Sequence, residues 1–330
     1  MNPGTDTARQ PASYLTVDED HAGQRIDNFL ATRLRGVPRA RVYRILRRGE
    51  VRVNKRRIRQ DYRLQQGDVV RLPPLRLSAP RTGAPAPAAM GRVVAASVLH
   101  EDHNLVVLNK PGGLPVHGGT GRSHGLIEVL RTLRPQAPFL ELVHRLDRET
   151  SGCLLVAKRR SALRALHESL RARRVEKGYL LLVRGRWKGP ERRVELPLRK
   201  NVLRGGERMV TLDPAGKTAL TELAPVAVGD TASLLAARTR TGRTHQIRVH
   251  AAAAGYPLAG DGKYGDRAFN RAMKARGLRR LFLHADEVAF PDPGCGTTVR
   301  VEAPLPDDLR PVLEDLGLYP RQPAVSQGVR

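Results

Sequence analysis

Hydrophobic residues recur at helical spacing in two places near the start of the chain. The first, "QRIDNFLATRL", predicts a helix with four apolar residues on one face, Ile26, Phe29, Leu30 and Leu34. Pro38 opens a second predicted helix, "PRARVYRILRRG", and Gly49 ends it. The stretches "EVRVNKRRI" and "GDVVRLPP" alternate in polarity and predict two short strands. Residues 14–75 are therefore expected to form a small unit of helices and strands.

The pattern changes at about Val93, where strands and helices begin to alternate as far as Leu316. "VLHEDHNLVVLNKP" predicts two short strands, and "EKGYLLLVRGRW" and "TASLLAARTRTG" predict one strand each. "SALRALHESLRARR" predicts a helix capped by Ser161, and "HQIRVHAAAAG" predicts a helix capped by Thr244 and ended by Gly255. We expect the segment 93–316 to be a second domain with its own core.

Three segments lack such a pattern. Residues 1–13 are expected to be a disordered N-terminus, and residues 317–330 a flexible tail. Residues 76–92 are rich in Pro and Ala and carry no acidic side chain, so we expect a linker between the two domains.

The charge of the chain narrows its possible partners. The formal net charge is +26, from 58 basic and 32 acidic side chains, which favours a polyanionic partner such as RNA, DNA or an anionic membrane surface. Between Gly23 and Leu75 there are 15 Arg or Lys against 4 Asp or Glu. A solvated basic face is the plainer explanation, but RNA binding is the one that we favour. The candidate RNA-binding residues are Arg39, Arg41, Arg44, Arg47, Arg48, Lys55, Arg56 and Arg57.

The chain shows no sign of membrane insertion or export. No apolar run is long enough to span a bilayer, and the N-terminus has no basic segment followed by an apolar stretch. We therefore expect a cytoplasmic location. The two cysteines, Cys153 and Cys295, lack the spacing of a metal site, so neither a disulfide nor a zinc site is expected.

Several motifs resemble catalytic signatures and fail on their details. "GGLPVHGGTGRSHG" is rich in glycine but lacks the Lys-Ser/Thr pair that a phosphate-binding loop needs, which disfavours a nucleotide cofactor. "HRLDR" has one residue too many for the kinase H-R-D motif. His245 and His250 lack the H-E-x-x-H spacing of zinc hydrolases.

One carboxylate remains that is not explained by these motifs. In "ELVHRLDRETSGCLLVAK", Asp147 lies between Arg145 and Arg148, directly before an apolar run. Two adjacent guanidinium groups favour the charged form of a carboxylate, which suits a nucleophile or a structural ion pair better than a general acid. A residue that only neutralises a basic loop or caps a turn is the alternative.

A second anomaly lies about a hundred residues further on. "TGRTHQIRVH" places Arg243, His245 and Arg248 around the start of a predicted helix, where cations oppose the helix dipole. A local rule broken in this way is typical of a functional site, and an anion is expected there. That anion is a phosphate or a carboxylate such as Asp147; solvent-exposed arginines are the alternative.

Two parts of the chain resemble known families. "GQRIDNFLATRL", "RARVYRILRRGEVRVNKRRI" and "GDVVRLP" resemble the S4-type RNA-binding domain. Six blocks in the larger segment resemble the RluA family of pseudouridine synthases: "VLNKPGGLPVH", "HRLDRETSGCLLVAK", "EKGYLLLVRG", "TGRTHQIRVH", "PLAGDGKYG" and "LFLHADEVAF". The resemblance implies an α+β catalytic domain. Its central sheet would be mixed but mostly antiparallel, flanked by helices, with the active site in a cleft across it and the S4-like module in front.

The resemblance also assigns roles to residues. Asp147 matches the catalytic aspartate, a nucleophile toward C1′ of a flipped-out uridine; attack on C6 and a glycal route are alternatives. Tyr179 matches the tyrosine that stacks on the uracil, and Arg248 matches the basic residue that pairs with the aspartate. Arg145 matches the arginine that fills the gap left by the flipped base, and we add Arg243 and His245 as substrate-binding residues. No metal and no cofactor are implied.

The expected activity is the isomerisation of uridine to pseudouridine at several positions of 23S rRNA. The partners would be 23S rRNA or precursor large-subunit particles, with the protein acting as a monomer and away from membranes. Other rRNA or tRNA uridines are the alternative targets within the family. A non-catalytic RNA-binding or ribosome-assembly factor is the alternative from another functional class.

Overall fold

The structure, a computed structural model, describes residues 9–10, 12–18, 21–34, 37–76, 88–118, 124–204, 207–239 and 241–319. The chain folds as two units, Met1–Pro85 and Ala86–Arg330. No helix within the described ranges is both long and apolar enough to cross a membrane.

The first unit packs two short helices on a small antiparallel sheet. In the sheet β2 (Ser13–Thr16) pairs with β5 (Val69–Leu72), β5 with β3 (Arg52–Val53) and β3 with β4 (Arg56–Arg57), while β1 (Arg9–Gln10) pairs separately with β6 (Leu75–Arg76). The apolar faces predicted for the two helices are buried in its core, including Ile26, Phe29, Ile45 and Leu46. The elements are β1 Arg9–Gln10, β2 Ser13–Thr16, α1 Ile26–Arg33, α2 Arg39–Arg47, β3 Arg52–Val53, β4 Arg56–Arg57, β5 Val69–Leu72 and β6 Leu75–Arg76.

Two details of this unit differ from the sequence-based expectations. The stretch predicted as one strand is a hairpin, β3–β4, because Asn54 and Lys55 take positive φ angles of 49° and 65° and reverse the chain. Arg9 and Gln10, which fall in the segment expected to be disordered, pair with β6. Residues 1–8 lie outside the described ranges.

The second unit contains one large mixed sheet with helices against it. The elements are α3 Ala88–Ala95, β7 Val98–Glu101, β8 Leu105–Lys110, α4 Leu126–Leu133, β9 Glu141–Leu142, β10 Ser151–Ala157, α5 Arg160–Arg171, β11 Glu176–Arg184, β12 Arg192–Glu195, β13 Leu198–Arg204, β14 Glu207–Leu212, β15 Leu220–Val228, β16 Ala232–Thr239, α6 Gln246–Ala253, α7 Arg267–Ala275, β17 Leu283–Pro291, β18 Thr298–Glu302 and α8 Arg310–Asp315.

The strand order of this sheet is β12-β15-β16-β11-β17-β10-β8-β7, with β18 beside β17 and β9 beside β10. Its pairs are antiparallel except for β10 and β17, which run parallel. The expected α+β fold with a mixed, mostly antiparallel sheet is therefore confirmed. The strands β13 and β14 form a separate hairpin.

The strand β10 explains how the sheet supports the loop before it. All seven of its residues are buried, because apolar clusters cover both of its faces. Gly152 lies where β10 meets β17, with φ at 107°, and any side-chain carbon there would overlap the carbonyl group of Ala285. The chain that enters β10 is thus held against two neighbouring strands.

Helix starts were predicted less accurately than helix positions. The helix α5 begins at Arg160 after Arg159, so Ser161 lies inside the helix and does not cap it. The helix α6 begins at Gln246, and His245, not Thr244, occupies the cap position in the left-handed conformation. The His245 side chain makes no capping hydrogen bond; the side-chain oxygen of Gln246 accepts the Arg243 N–H and the Thr241 hydroxyl, which holds the segment before the helix.

Two segments expected to be irregular are partly ordered. The helix α3 begins at Ala88, inside the predicted linker 76–92, because Met90 and Val94 pack against the cluster that contains α4. Leu318, in the predicted tail 317–330, is buried with α7 and α8. Residues 320–330 lie outside the described ranges.

Candidate active site

Asp147 lies in the loop between β9 and β10, and a buried lysine fixes that loop. The Lys110 ammonium donates hydrogen bonds to the carbonyl groups of Pro111, Leu114 and Arg148, at 2.9, 2.9 and 3.0 Å. Burial, followed by repulsion from Arg280, lowers the pKa of Lys110 to about 7. Because all three acceptors are backbone groups, Lys110 ties the end of β8 to the residue directly after Asp147.

The arginines that flank Asp147 do not pair with it among the described residues, contrary to the expectation from the sequence. The Gly113 N–H donates to the Arg148 carbonyl at 2.9 Å, and Arg148 Nε donates to the Gly113 carbonyl at 3.0 Å. Arg148 Nε also lies 3.3 Å from Glu149 Oε1. Arg145 is exposed at the edge of the pocket. Arg148 therefore has a structural role, which the sequence left open.

The cations near Asp147 come instead from α6 and the residue before it. Arg248 Nη1 lies 3.3 Å from Asp147 Oδ2, and His245 Nε2 lies 3.7 Å from the same oxygen. The stronger partner of Arg248 is Asp261, whose two oxygens accept from Nε at 2.8 Å and from Nη2 at 2.7 Å. This bidentate pair aims the remaining nitrogen of the guanidinium at Asp147.

Tyr264 completes the arrangement around Asp147. The Arg248 guanidinium lies 5.0 Å from the centre of the Tyr264 ring, and the Tyr264 hydroxyl lies 2.8 Å from His245 Nδ1. The same hydroxyl accepts the Val210 N–H at 2.9 Å, so it is free to donate to His245. Burial lowers the pKa of His245, although the Asp147 charge opposes this effect.

Tyr179 lines the same pocket from β11. Its ring packs against both apolar clusters that meet there. Burial raises the pKa of its phenol well above the usual value, so the ring is neutral at physiological pH. Next to it in the pocket, the Thr239 hydroxyl is buried and has no hydrogen-bond partner within the described part of the chain.

These side chains surround one pocket of about 230 Å³ in the second unit. Asp147, Tyr179, Arg248 and the three expected substrate-binding residues, Arg145, Arg243 and His245, all line it. A carboxylate next to a fixed guanidinium and a neutral aromatic ring is an arrangement suited to covalent catalysis on a nucleoside whose flat, uncharged base stacks on that ring. Asp261 and Tyr264 were not predicted as site residues, although they lie in "PLAGDGKYG", one of the blocks that resemble the RluA family.

The candidate RNA-binding residues of the first unit are mostly exposed. Arg44, Arg47 and Arg48 lie on and after α2, and Lys55, Arg56 and Arg57 lie on the β3–β4 hairpin. The Arg57 guanidinium donates to the Arg47 carbonyl, which places the hairpin beside the end of α2. Arg41 is half-buried, and the side chain of Arg39 lies outside the described part of the structure.

Comparisons with known proteins agree with this geometry. Residues 104–253 match the RNA pseudouridylate synthase family and residues 24–70 match the S4 domain. Ribosomal large subunit pseudouridine synthase C of Pasteurella multocida (strain Pm70) is 53% identical over 92% of this chain and 94% of its own length. The protein of that name from Escherichia coli (strain K12) is 52% identical over 94% of this chain and 98% of its own.

Solved structures show the same relationship. Human RNA pseudouridylate synthase domain containing 4 is similar with a TM-score of 0.59 and 26% identity, over 69% of this chain and 96% of that one. Human RNA pseudouridylate synthase domain containing 1 is similar with a TM-score of 0.53 and 28% identity, over 64% of this chain and 83% of that one. The chain belongs to the RNA pseudouridylate synthase family and is an RNA pseudouridine synthase with an N-terminal S4 domain.

Proposed function

We propose that this enzyme isomerises uridine to pseudouridine at several positions of 23S rRNA in the large ribosomal subunit. The observation that carries the proposal is the pocket in which Asp147 faces Arg248 beside the neutral ring of Tyr179. Two bacterial relatives that share more than half of the sequence are named for the large ribosomal subunit.

The proposed reaction begins with a uridine flipped out of the RNA, because a stacked base cannot reach the pocket. The Asp147 carboxylate attacks C1′, and the C1′–N1 bond breaks with its electrons moving to the uracil. The uracil turns, C5 bonds to C1′ as the bond between C1′ and the carboxylate breaks, the C5 proton is lost to solvent, and N1 gains a proton, so that the product is an isomer of uridine. Arg248, held by Asp261, keeps the carboxylate oriented for the first and the last step.

The other pocket residues have roles that follow from their positions. Tyr179 stacks on the uracil, and its raised pKa favours this role over removal of the C5 proton. Arg145 is exposed at the edge of the pocket, where a guanidinium can stack in the gap left by the flipped base. Arg243 and His245 contact the nucleotide from the segment before α6.

The proposed partners are 23S rRNA and precursor large-subunit particles, which places the enzyme in the cytoplasm with the ribosome. The exposed basic side chains of α2 and the β3–β4 hairpin suit a sugar-phosphate backbone, since arginine binds phosphate bidentately. The proposed active form is a monomer.

The test is a map of pseudouridine in 23S rRNA by carbodiimide treatment and primer extension, in cells with and without the gene. We expect several stops to disappear without the gene and to return with the wild-type gene. The purified enzyme should release tritium from 23S rRNA labelled at C5 of uridine. An unchanged map, with loss of signals in tRNA instead, would assign a different RNA; no tritium release from any RNA would leave a non-catalytic RNA-binding protein.

A further inference from the structure

The pocket carries more positive than negative charge. Asp147 is its only carboxylate among the described lining residues, whereas four strongly basic side chains line it: Arg145, Lys177, Arg243 and Arg248. The Arg248 guanidinium is neutralised by Asp261 and Asp147. The charge of the other three is therefore available to a ligand.

Lys177, on β11, is the one of the three that is partly removed from solvent. It is half-buried, and its ammonium makes no hydrogen bond or ion pair to any described residue. Burial is the only cause that lowers its pKa, to about 8, with no carboxylate acting against it. Partly desolvating an ammonium without a counter-charge is unfavourable, so an anion from outside the chain would relieve it.

The position of Lys177 indicates which anion it meets. A side-chain carbon placed on Gly242 would lie 3.4 Å from Lys177 Nζ, so the ammonium lies over a bare stretch of backbone. Gly242 and Arg243 are both exposed, and they form the edge of the pocket together with Arg145. In the reaction proposed above, the uracil of the flipped nucleotide stacks on Tyr179. The phosphates on either side of that nucleotide remain joined to the strand outside, so they should pass the exposed edge of the pocket.

We propose that Lys177 binds a backbone phosphate of the flipped nucleotide, on its 5′ or 3′ side, at the edge formed by Gly242. The proposal rests on the function proposed above. A compact ammonium on a flexible stem is a common phosphate ligand in proteins, and the absent side chain of Gly242 leaves the approach open. The competing assignment, a hydrogen bond from Lys177 to a uracil carbonyl, makes a different prediction in the experiment below.

The probe is a short RNA that contains one uridine converted by the wild-type enzyme, as mapped in 23S rRNA. It is prepared with natural linkages, or with a neutral methylphosphonate on the 5′ or on the 3′ side of that uridine. The variants are Lys177→Met, which removes the charge, and Lys177→Arg, which keeps it. Lys274→Met on α7, which is exposed and outside the pocket lining, is the matched control.

On natural RNA we expect Lys177→Met to lower kcat/KM by about tenfold to a hundredfold, the range for loss of one charge-assisted hydrogen bond. Lys177→Arg should keep most of the activity, and the control should keep all of it. For the wild type, one of the two methylphosphonates should cause a similar loss. In Lys177→Met, the same methylphosphonate should cause no further loss, because the contact is already absent.

The same measurements can overturn the proposal. If Lys177→Met retains the wild-type kcat/KM, the side chain binds no part of the substrate. If the drop in kcat/KM caused by Lys177→Met adds in full to the drop caused by each methylphosphonate, Lys177 contacts the base and not a phosphate. If Lys177→Arg loses as much activity as Lys177→Met and both variants melt at a lower temperature than wild type, the role of Lys177 is structural. A wild-type enzyme without activity on any RNA would instead refute the proposed function.

Discussion

Replacing Asp261 by asparagine tests whether the held guanidinium of Arg248 is what orients Asp147. The Asp261 side chain is 1% exposed, and its carboxylate accepts two hydrogen bonds from Arg248. It also accepts the backbone N–H groups of Lys263 and Tyr264, at 2.9 and 3.1 Å. Asparagine keeps the shape and one acceptor, but it removes the charge and turns an NH₂ group toward a guanidinium that can only donate.

The magnitude follows from this geometry. Breaking a buried ion pair by removing one partner costs about 3–5 kcal/mol, and the lower end applies here because asparagine preserves the packing and Asp147 remains. We therefore expect a loss of about 3 kcal/mol in the free energy of unfolding at neutral pH. A displacement of the Asp147 carboxylate by about 1 Å would lower the rate of the chemical step roughly a hundredfold.

The loss of stability in Asp261→Asn should depend on pH. Burial raises the pKa of Asp261, but the hydrogen bonds and charge of Arg248 outweigh it, so the net shift is downward. The stability that the ionised carboxylate contributes is present above the unfolded-state pKa of about 4 and is lost as pH falls through the lowered folded-state pKa. The difference between wild type and Asp261→Asn should therefore shrink in acid.

The assays are urea unfolding of the full chain at several pH values and single-turnover tritium release from 23S rRNA. Asp230→Asn is the control, since its ion pair with Arg186 is exposed and such pairs contribute about 0–1 kcal/mol. An Asp261→Asn protein that unfolds at the wild-type urea concentration and reacts at the wild-type rate would refute this role of Arg248.

Two further predictions concern other parts of the molecule. Burial raises the pKa of Asp286 to about 6, and its Oδ1 has no partner in the described structure, so wild-type stability should fall as pH rises from about 4 to 6. Asp286→Asn should then be more stable than wild type by up to about 3 kcal/mol at pH 7.5, whereas the two proteins should be equally stable at pH 4. Melting curves that are the same for both proteins at both pH values would contradict this. The double variant Arg47→Gln, Arg48→Gln should bind 23S rRNA more weakly and reduce the slope of log K against log salt by about 1.4–1.8, unlike Arg276→Gln directly after α7. An unchanged slope in a salt titration would show that these arginines make no phosphate contacts.

Sequence patterns predicted most of the elements because local periodicity reports burial. The apolar faces of α1 and α2 and the wholly apolar β10 are each visible in a few consecutive residues. The start of α6 was noticed because cations there oppose the helix dipole, and Asp147 does lie within 4 Å of both His245 and Arg248. A role for Tyr179 came only from the family resemblance, since a half-buried strand tyrosine is otherwise unremarkable.

What the sequence did not predict depends on contacts between distant segments. Asp261 is paired with Arg248 by the packing of its loop on α6, which no local pattern reveals. The flanking arginines were expected to act on Asp147, but Arg148 turns toward Gly113, 35 residues earlier in the chain. The positive φ angles that turn "EVRVNKRRI" into a hairpin are unusual for Asn54 and Lys55, so alternation alone predicted a single strand.

We infer that the Asp147 carboxylate performs the chemistry, so the Asp147→Asn variant should lose activity. The measurement is single-turnover tritium release from 23S rRNA labelled at C5 of uridine, with the variant shown to fold and to bind the RNA as wild type does. Glu149→Gln, two residues away in the same loop and outside the pocket lining, is the matched control. We expect no detectable release from Asp147→Asn and normal release from the control; release at the wild-type rate by Asp147→Asn would rule out a catalytic role for this carboxylate.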